Sequence, residues 1–243
     1  MLVQIMTLFP QMFDGPFNHS ILKRAQEQKL VEIKLLDFRE YAFDKHRMVD
    51  DTPYGGGSGM VLKPEPIYRC LQAAKANQPT PKVILLTPQG IPFQQAIARD
   101  LAGEQHLILI CGHYEGFDER IRNWVDLELS IGDFVLTGGE LAAMVVTDAV
   151  VRLIPGVLGS VDSAREDSFS AGLLDYPHYT RPVEFEGLKV PTILLSGHHA
   201  KIEAWRRKEA LLKTARRRPE LLKNLVLSAK DKEILRSELN LDI

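Results

Sequence analysis

Residues 107–122 read Leu-Ile-Leu-Ile-Cys, Gly-His-Tyr-Glu-Gly, Phe-Asp-Glu-Arg-Ile-Arg, and the fold turns on them. The apolar run Leu107–Cys111 has the length of a buried strand and is too short for a packed helix. Gly112 and Gly116 bracket a turn in which backbone can approach a ligand closely, because neither carries a Cβ. Asp118 or Phe117 then opens a polar segment suited to a helix. The same grammar occurs twice more: Lys82–Thr87 runs into Pro88-Gln89-Gly90, and Leu127–Thr137 runs into Gly138-Gly139-Glu140. Three apolar strands ending in glycine turns put three loops on one edge of a parallel α/β sheet. Ligands bind outside the carboxyl ends of such strands.

Outward from this centre, Leu2–Phe9 reads as a first strand, Ser20 as the cap of a helix over Ile21–Lys29, and Val31–Phe38 as a second strand. The run Gly55-Gly56-Gly57-Ser58-Gly59-Met60 lacks the Lys-Ser/Thr of a phosphate loop and reads as a flexible loop. Helices follow over Pro64 to about Ala76, Phe93–Leu101 and Leu141–Leu153, so strand and helix alternate. In the last of these, Met144, Val145, Ala149 and Val151 are packing positions. Gly156–Tyr176 is rich in Ser, Asp and Gly and longer than connectors usually are, which suits a functional loop or a linker. From His198 the chain is helical: His198–Arg218, Glu220–Asn224, and Lys230–Leu239 behind a Ser228 cap. The domain boundary falls in the linker, dividing the chain into 1–159, a flexible 160–176 and 177–243.

Composition sets the outer bounds. The 243 residues, 45% hydrophobic and 26% charged, suit a soluble protein with a real core. No apolar run spans a bilayer and the N-terminus lacks a basic leader, so the expected compartment is the cytoplasm. Cys70 and Cys111 lie in apolar surroundings without metal or redox spacing and are expected as buried thiols. Of the seven histidines, His46, His113, His178, His198 and His199 have no metal-ligand spacing with Cys or each other, and no metal site is read. A formal net charge of −2 excludes generic polyanion binding, so any nucleic-acid contact must come from a local cluster. One such cluster exists. Between His198 and Arg218 stand eight Lys/Arg against two Glu, with Arg206, Lys213 and Arg217 on one helical face, a pattern suited to phosphates. The glycine turns carry no Lys, Arg or G-x-G-x-x-G where a pyrophosphate would need them. With apolar walls at Leu86, Ile131, Phe134 and Leu136, they suit a nucleoside-like or sulfonium ligand better than a dinucleotide.

Eight motifs in order are similar to one family: GGGxGM at 55–60, PQG at 88–90, CGHYEG at 111–116, DER at 118–120, GDFVLTGGE at 132–140, RLIPGVLG at 152–159, EDSF at 166–169 and HYTRP at 178–182. The chain resembles the bacterial tRNA (guanine-N1)-methyltransferases of the SPOUT superfamily over nearly its whole length. Phe134, where Tyr is common, and Ala142, where Pro is common, depart from the pattern. The resemblance implies an α/β domain whose parallel sheet carries a deep trefoil knot, plus a small α-helical C-terminal domain. It implies S-adenosyl-L-methionine as donor, held at Leu86, Thr87, Pro88, Gly90, Gly112, Tyr114, Glu115, Ile131, Gly132, Phe134, Leu136, Gly138 and Gly139. It implies methylation of N1 of the guanine 3′ of the anticodon, supporting reading-frame maintenance, by a homodimer with composite sites, with Mg²⁺ as a further possible requirement. Asp167 is assigned as general base, Arg152 as the cation that stabilises O6, and Ser168, Arg206, Lys213 and Arg217 as tRNA contacts. Glu115 is left between the donor's cationic groups and the target base. A donor-sensing RNA-binding regulator and a ribose 2′-O-methyltransferase are the competing expectations; nucleotide hydrolysis is remote without a phosphate loop.

Overall fold

The computed structural model describes residues 1–76, 78–159 and 167–240. Residues 160–166 of the expected linker, including Arg165 and Glu166, lie outside the described residues, as does Asn77. The chain divides into two compact units, Met1–Ser160 and Val161–Ile243.

The first unit is built on a five-stranded, all-parallel sheet. Its strands are β1 (Leu2–Thr7), β2 (Glu32–Asp37), β5 (Lys82–Pro92), β6 (His106–Cys111) and β7 (Leu127–Ser130), in the order β2-β1-β6-β5-β7. A short antiparallel pair, β3 (Asp50–Asp51) and β4 (Val61–Leu62), stands apart from it. Strands buried on both faces are continuous apolar runs, and a side-chain period of two deals alternate residues to opposite layers. Strand β6 shows this directly. Leu107, Leu109 and Cys111 join one core with β1 residues Val3 and Ile5, while Ile108 and Ile110 join the other with Met6, Val83 and Leu85. Helices α2 (Ser20–Glu27), α4 (Gln95–Ala102) and α5 (Glu140–Val151) cover the first face and α3 (Pro64–Lys75) the second. A four-residue helix, α1 (Asp14–Phe17), precedes α2.

Several local expectations change on folding. Ser20 does not cap α2: His19 holds that position, with no side-chain cap bond. The expected helix after the Gly112–Gly116 turn is a 3-10 helix, Glu119–Trp124, whose cap Asp118 accepts a bond from the Arg120 amide at 3.0 Å. Strand β7 ends at Ser130, so residues 131–137 belong to the loops. Strand β5 does not stop at Thr87. It continues to Pro92, and the expected turn Pro88-Gln89-Gly90 falls in a break of the ladder, Leu86 and Ile91 both standing opposite Leu129 of β7. Val145 is no packing residue, being 48% exposed on α5.

The second unit contains α6 (His199–Arg217), a 3-10 helix Pro219–Asn224 and α7 (Ala229–Leu239), packed around Leu211, Ala215, Leu222 and Leu235, with a two-residue hairpin of β8 (Glu184–Phe185) and β9 (Leu188–Lys189). Ser228 caps α7 as expected, in a reciprocal box. Its hydroxyl accepts from the Asp231 amide at 3.1 Å, and its own amide donates to Asp231 Oδ2 at 3.0 Å. Arg207 grips the same carboxylate through both oxygens, at 3.0 and 3.1 Å. The Arg207 bonds, then the Ser228 backbone, hold the Asp231 carboxyl below its ordinary value. A depressed folded pKa contributes stability above the unfolded value and loses it as pH falls through the folded one. Ser228→Ala should therefore cost about 1 kcal/mol at neutral pH. The melting-temperature gap between wild type and Asp231→Asn should be largest near neutrality and close below pH 4; a gap that persists in acid would show that charge is not its source.

Candidate functional site

The carboxyl ends of β5, β6 and β7 open onto one cavity of about 480 Å³, within the range of small-ligand sites. Its walls come from residues 86–89, 112–117, 129–132 and 134–139, with Glu119, Arg122 and Ala142. All the expected donor-site residues line it except Gly90. Gly90 lies below, where β5 crosses β7, and a Cβ there would meet the backbone of Glu128 and Leu129 at 2.5–2.6 Å and closer. Its lack of a side chain serves the crossing.

Backbone bonds fix the cavity loops. The Gly139 amide donates to Gly112 O at 2.9 Å, and the Gly116 amide to His113 O at 3.2 Å. The Glu115 amide donates to Met60 O at 3.0 Å, and the Leu62 amide to Gly116 O at 2.9 Å. The glycine-rich run thus backs the site. At Gly59, with φ +83°, a Cβ would stand 2.5 Å from the Glu115 carboxylate, so the loop moulds the placement of that acid. Tyr114 is held at φ +60°, a left-handed conformation that costs a non-glycine residue about 1–2 kcal/mol and often marks a working loop.

Beneath the floor lies a polar network of residues distant in sequence. Thr7 donates its hydroxyl hydrogen to Glu140 Oε1 at 2.6 Å, and His113 Nε2 lies 2.9 Å from Glu140 Oε2. Glu140, the first residue of α5, is fully buried, where a carboxylate also meets the positive end of the helix dipole. The network ties the end of β1 to the loop after β6 and the start of α5. Cys111, buried below, has its thiol pushed far up, first by burial and then by the nearby Glu140 charge. It is no nucleophile at neutral pH; burial likewise pushes Cys70 up to about 12.

One cation lines the cavity that the sequence did not place there. Arg122 donates to Gln89 Oε1 at 2.6 Å, lies 2.9 Å from Glu119 and pairs closely with Glu128. With those partners it ties the 3-10 helix to β5 and β7 and offers little to an anion. Backbone groups, apolar walls and the acids Glu115 and Glu119 make a site for an uncharged or cationic ligand.

A family model described as tRNA (guanine-1)-methyltransferase TrmD matches residues 1–224. The chain belongs to the TrmD family. It is 58% identical over 237 residues to the tRNA (guanine-N(1)-)-methyltransferase of Dehalococcoides mccartyi, covering 97% of this chain and 96% of that one. To the protein of the same name from Brevibacillus brevis it is 59% identical over 236 residues, covering 97% of each. Membership makes the chain an enzyme, a methyltransferase of tRNA guanine.

The remaining residues expected of a TrmD-family site lie as follows. Arg152 closes α5 at its C-cap, its amide bonded to Asp148 O at 3.2 Å. Asp167 stands in the second unit, in a turn where the Ser170 amide donates to its carbonyl at 3.1 Å. Ser168 Oγ accepts from the Asp175 amide at 2.9 Å, closing that turn. Of the three cations on one face of α6, Arg217 is exposed. Lys213 donates to Asp175 O at 2.9 Å, and Arg206 packs over the Tyr176 ring at 4.8 Å while bonding Glu203. Among the described residues no three Asp, Glu, His or Cys cluster closely enough to hold a metal ion.

Proposed function

We propose that this TrmD-family chain transfers a methyl group from S-adenosyl-L-methionine to N1 of the guanine 3′ of the anticodon in tRNA. The observation that carries the donor assignment is the cavity, which pairs backbone-lined loops and apolar walls with acids at its mouth. The group it would hold supplies an electrophilic methyl on a sulfonium, which asks little activation of the protein. Leu86, Ile131 and Leu136 would flank its apolar parts, and the loops 86–88, 112–115 and 136–139 would bind its polar edges.

The protein's task is then the nucleophile. Guanine N1 carries a proton at neutral pH, and its removal places negative charge on O6. In this reading Asp167 accepts the N1 proton and Arg152 holds the charge on O6. A carboxylate is a weak base for this proton. Arg152 in a water-poor site lowers the proton affinity of the ring and makes that base sufficient. The basic surface of α6 would hold tRNA phosphates, with identity read from unstacked bases. For Mg²⁺ the described residues offer no protein cage.

A SPOUT-type trefoil knot and a homodimer with composite sites belong to the same proposal. The knot is supported by loop 131–139 returning to bond Gly112 beside the β5–β7 crossing. The dimer is supported by apolar residues left uncovered beside the cavity: Val135 is 86% exposed, and Leu141 and Val145, on α5, are each 48% exposed. A cytoplasmic site of action fits the tRNA substrate; among the described residues no helix is long and apolar enough to cross a membrane.

The test is transfer from labelled donor to two tRNA transcripts that differ only in guanine or adenine after the anticodon. Label on the guanine transcript alone, recovered as 1-methylguanine, is the expected result. Equal label on both would overturn the target. Label on neither, with donor bound, would favour a sensing protein.

A further inference from the structure

The turn that carries Asp167 is fastened to α6 from the side. Thr214, fully buried on that helix, accepts from the Leu174 amide at 2.9 Å while donating to Ala210 O at 2.7 Å. Its neighbour Lys213 places Nζ 2.9 Å from Asp175 O. The Asp175 amide in turn donates to Ser168 Oγ, next in the chain to Asp167, and the Phe169 amide closes on Leu173 O at 2.7 Å. Leu173 is buried in the core of the same unit. Two bonds and one peptide link thus lead from the Lys213 ammonium to the residue assigned as base. An ammonium donating to a backbone carbonyl is a strong, directed tie, and Lys213, half-buried, holds that carbonyl from inside the unit. Arg217, one turn further on, makes no side-chain hydrogen bond or ion pair among the described residues.

We propose that Lys213, with Thr214, is a positioning residue: it fixes the turn that bears Asp167 to the basic helix. Binding of tRNA to α6 and presentation of the base are then one event. This rests on the assignment of Asp167 above, and it divides a single basic face into an outer cation for RNA and an inner one for geometry.

The test compares Lys213→Met, which keeps the stem and loses the charge, with Lys213→Arg and Arg217→Met in the full-length protein. With donor and tRNA saturating, the single-turnover rate of Lys213→Met should fall about tenfold or more, the scale of a misplaced catalytic group. Its tRNA affinity should stay within about twofold of wild type. Lys213→Arg should recover most of the rate. Arg217→Met should show the reverse, weaker binding with a salt slope reduced by about one and a saturating rate unchanged. Adding Lys213→Met to Asp167→Asn should cost little more, because both act through one group. Should Lys213→Met fail to fold, Thr214→Val removes the Leu174 tie, together with the hydroxyl's bond to Ala210 O inside the helix, and should give the same rate loss. Weakened tRNA binding by Lys213→Met at an unchanged saturating rate would make Lys213 a phosphate contact and overturn the proposal. So would full additivity with Asp167→Asn. Asp167→Asn at the wild-type rate would remove the base assignment and this proposal together, whereas a slow Asp167→Asn beside a fast Lys213→Met removes this proposal alone.

Discussion

Asp167→Asn is expected to slow the single-turnover methylation of a guanine-bearing tRNA by about 10²–10⁴-fold, with donor and tRNA affinities close to wild type. That range is what a positioned acid or base typically contributes. Asparagine keeps the shape of the side chain and its capacity to accept a hydrogen bond, but its amide cannot take up the N1 proton. The turn should survive the change, because it is closed by backbone, from the Ser170 amide to the Asp167 carbonyl, and by the Ser168 hydroxyl. Arg152→Ala should lose rate on a similar scale. Arg152→Lys should recover only part of it, since a point charge replaces a planar fork with several fixed donors. Rapid-quench measurement with both substrates saturating separates these losses from binding. A wild-type rate for Asp167→Asn would show that another group, or solvent, takes the proton.

Gly90→Ala is expected to be the most damaging single methyl group in the first unit, costing about 3 kcal/mol or more of stability and abolishing donor binding with it. Strand β5 pairs with β7 from Ile84 to Leu86, changes register, and resumes at Ile91. Between those segments Gly90 passes against the backbone of Glu128 and Leu129. Backbone in a sheet cannot step aside as the end of a flexible side chain can, so the new Cβ would push two strands apart. Those strands carry two of the three cavity loops. Gly15→Ala is the matched control: a Cβ there meets nothing within 4 Å, and the substitution should be neutral or slightly stabilising. Thermal unfolding and donor titration of both variants check this, and a folded, donor-binding Gly90→Ala would mean that the crossing tolerates separation.

How much of this was legible in the residues follows from the kind of signal each feature leaves. Strands β1 and β6 were readable because burial on both faces leaves an unbroken apolar run. The cavity was readable because three apolar runs lead into glycine-bearing stretches at one edge of the sheet. Strand β5 was misread beyond Thr87, since Pro-Gln-Gly has the composition of a turn. Only β7 brings the chain back into the ladder at Ile91, opposite the same Leu129 that faces Leu86, and that is a tertiary fact. The group of Thr7, His113 and Glu140 left no local trace, because its members stand up to 133 positions apart, and the tie from Arg122 to Gln89 spans 33. A helical wheel placed Arg206, Lys213 and Arg217 on one face correctly, but it shows which residues share a direction and not what that direction meets. The exposed Val145 has the same origin: periodicity reports an apolar face and is silent on what covers it.

The place of β1 in the sheet bears on how the chain is made. Of the five strands of this sheet β1 is synthesised before the others, yet it is an interior one, pairing with β2 on one edge and with β6 on the other, Leu2 opposite His106 and Met6 opposite Ile110. Its second edge therefore stays open until roughly a hundred further residues have been translated, about 5–20 s at ordinary elongation rates. Throughout that interval the nascent chain displays Leu-Val-Gln-Ile-Met-Thr, an apolar segment with unpaired amides and carbonyls, the kind that recruits other strands. Vectorial synthesis therefore completes the ladder around β1 only when β6 arrives, and until then that edge needs shielding.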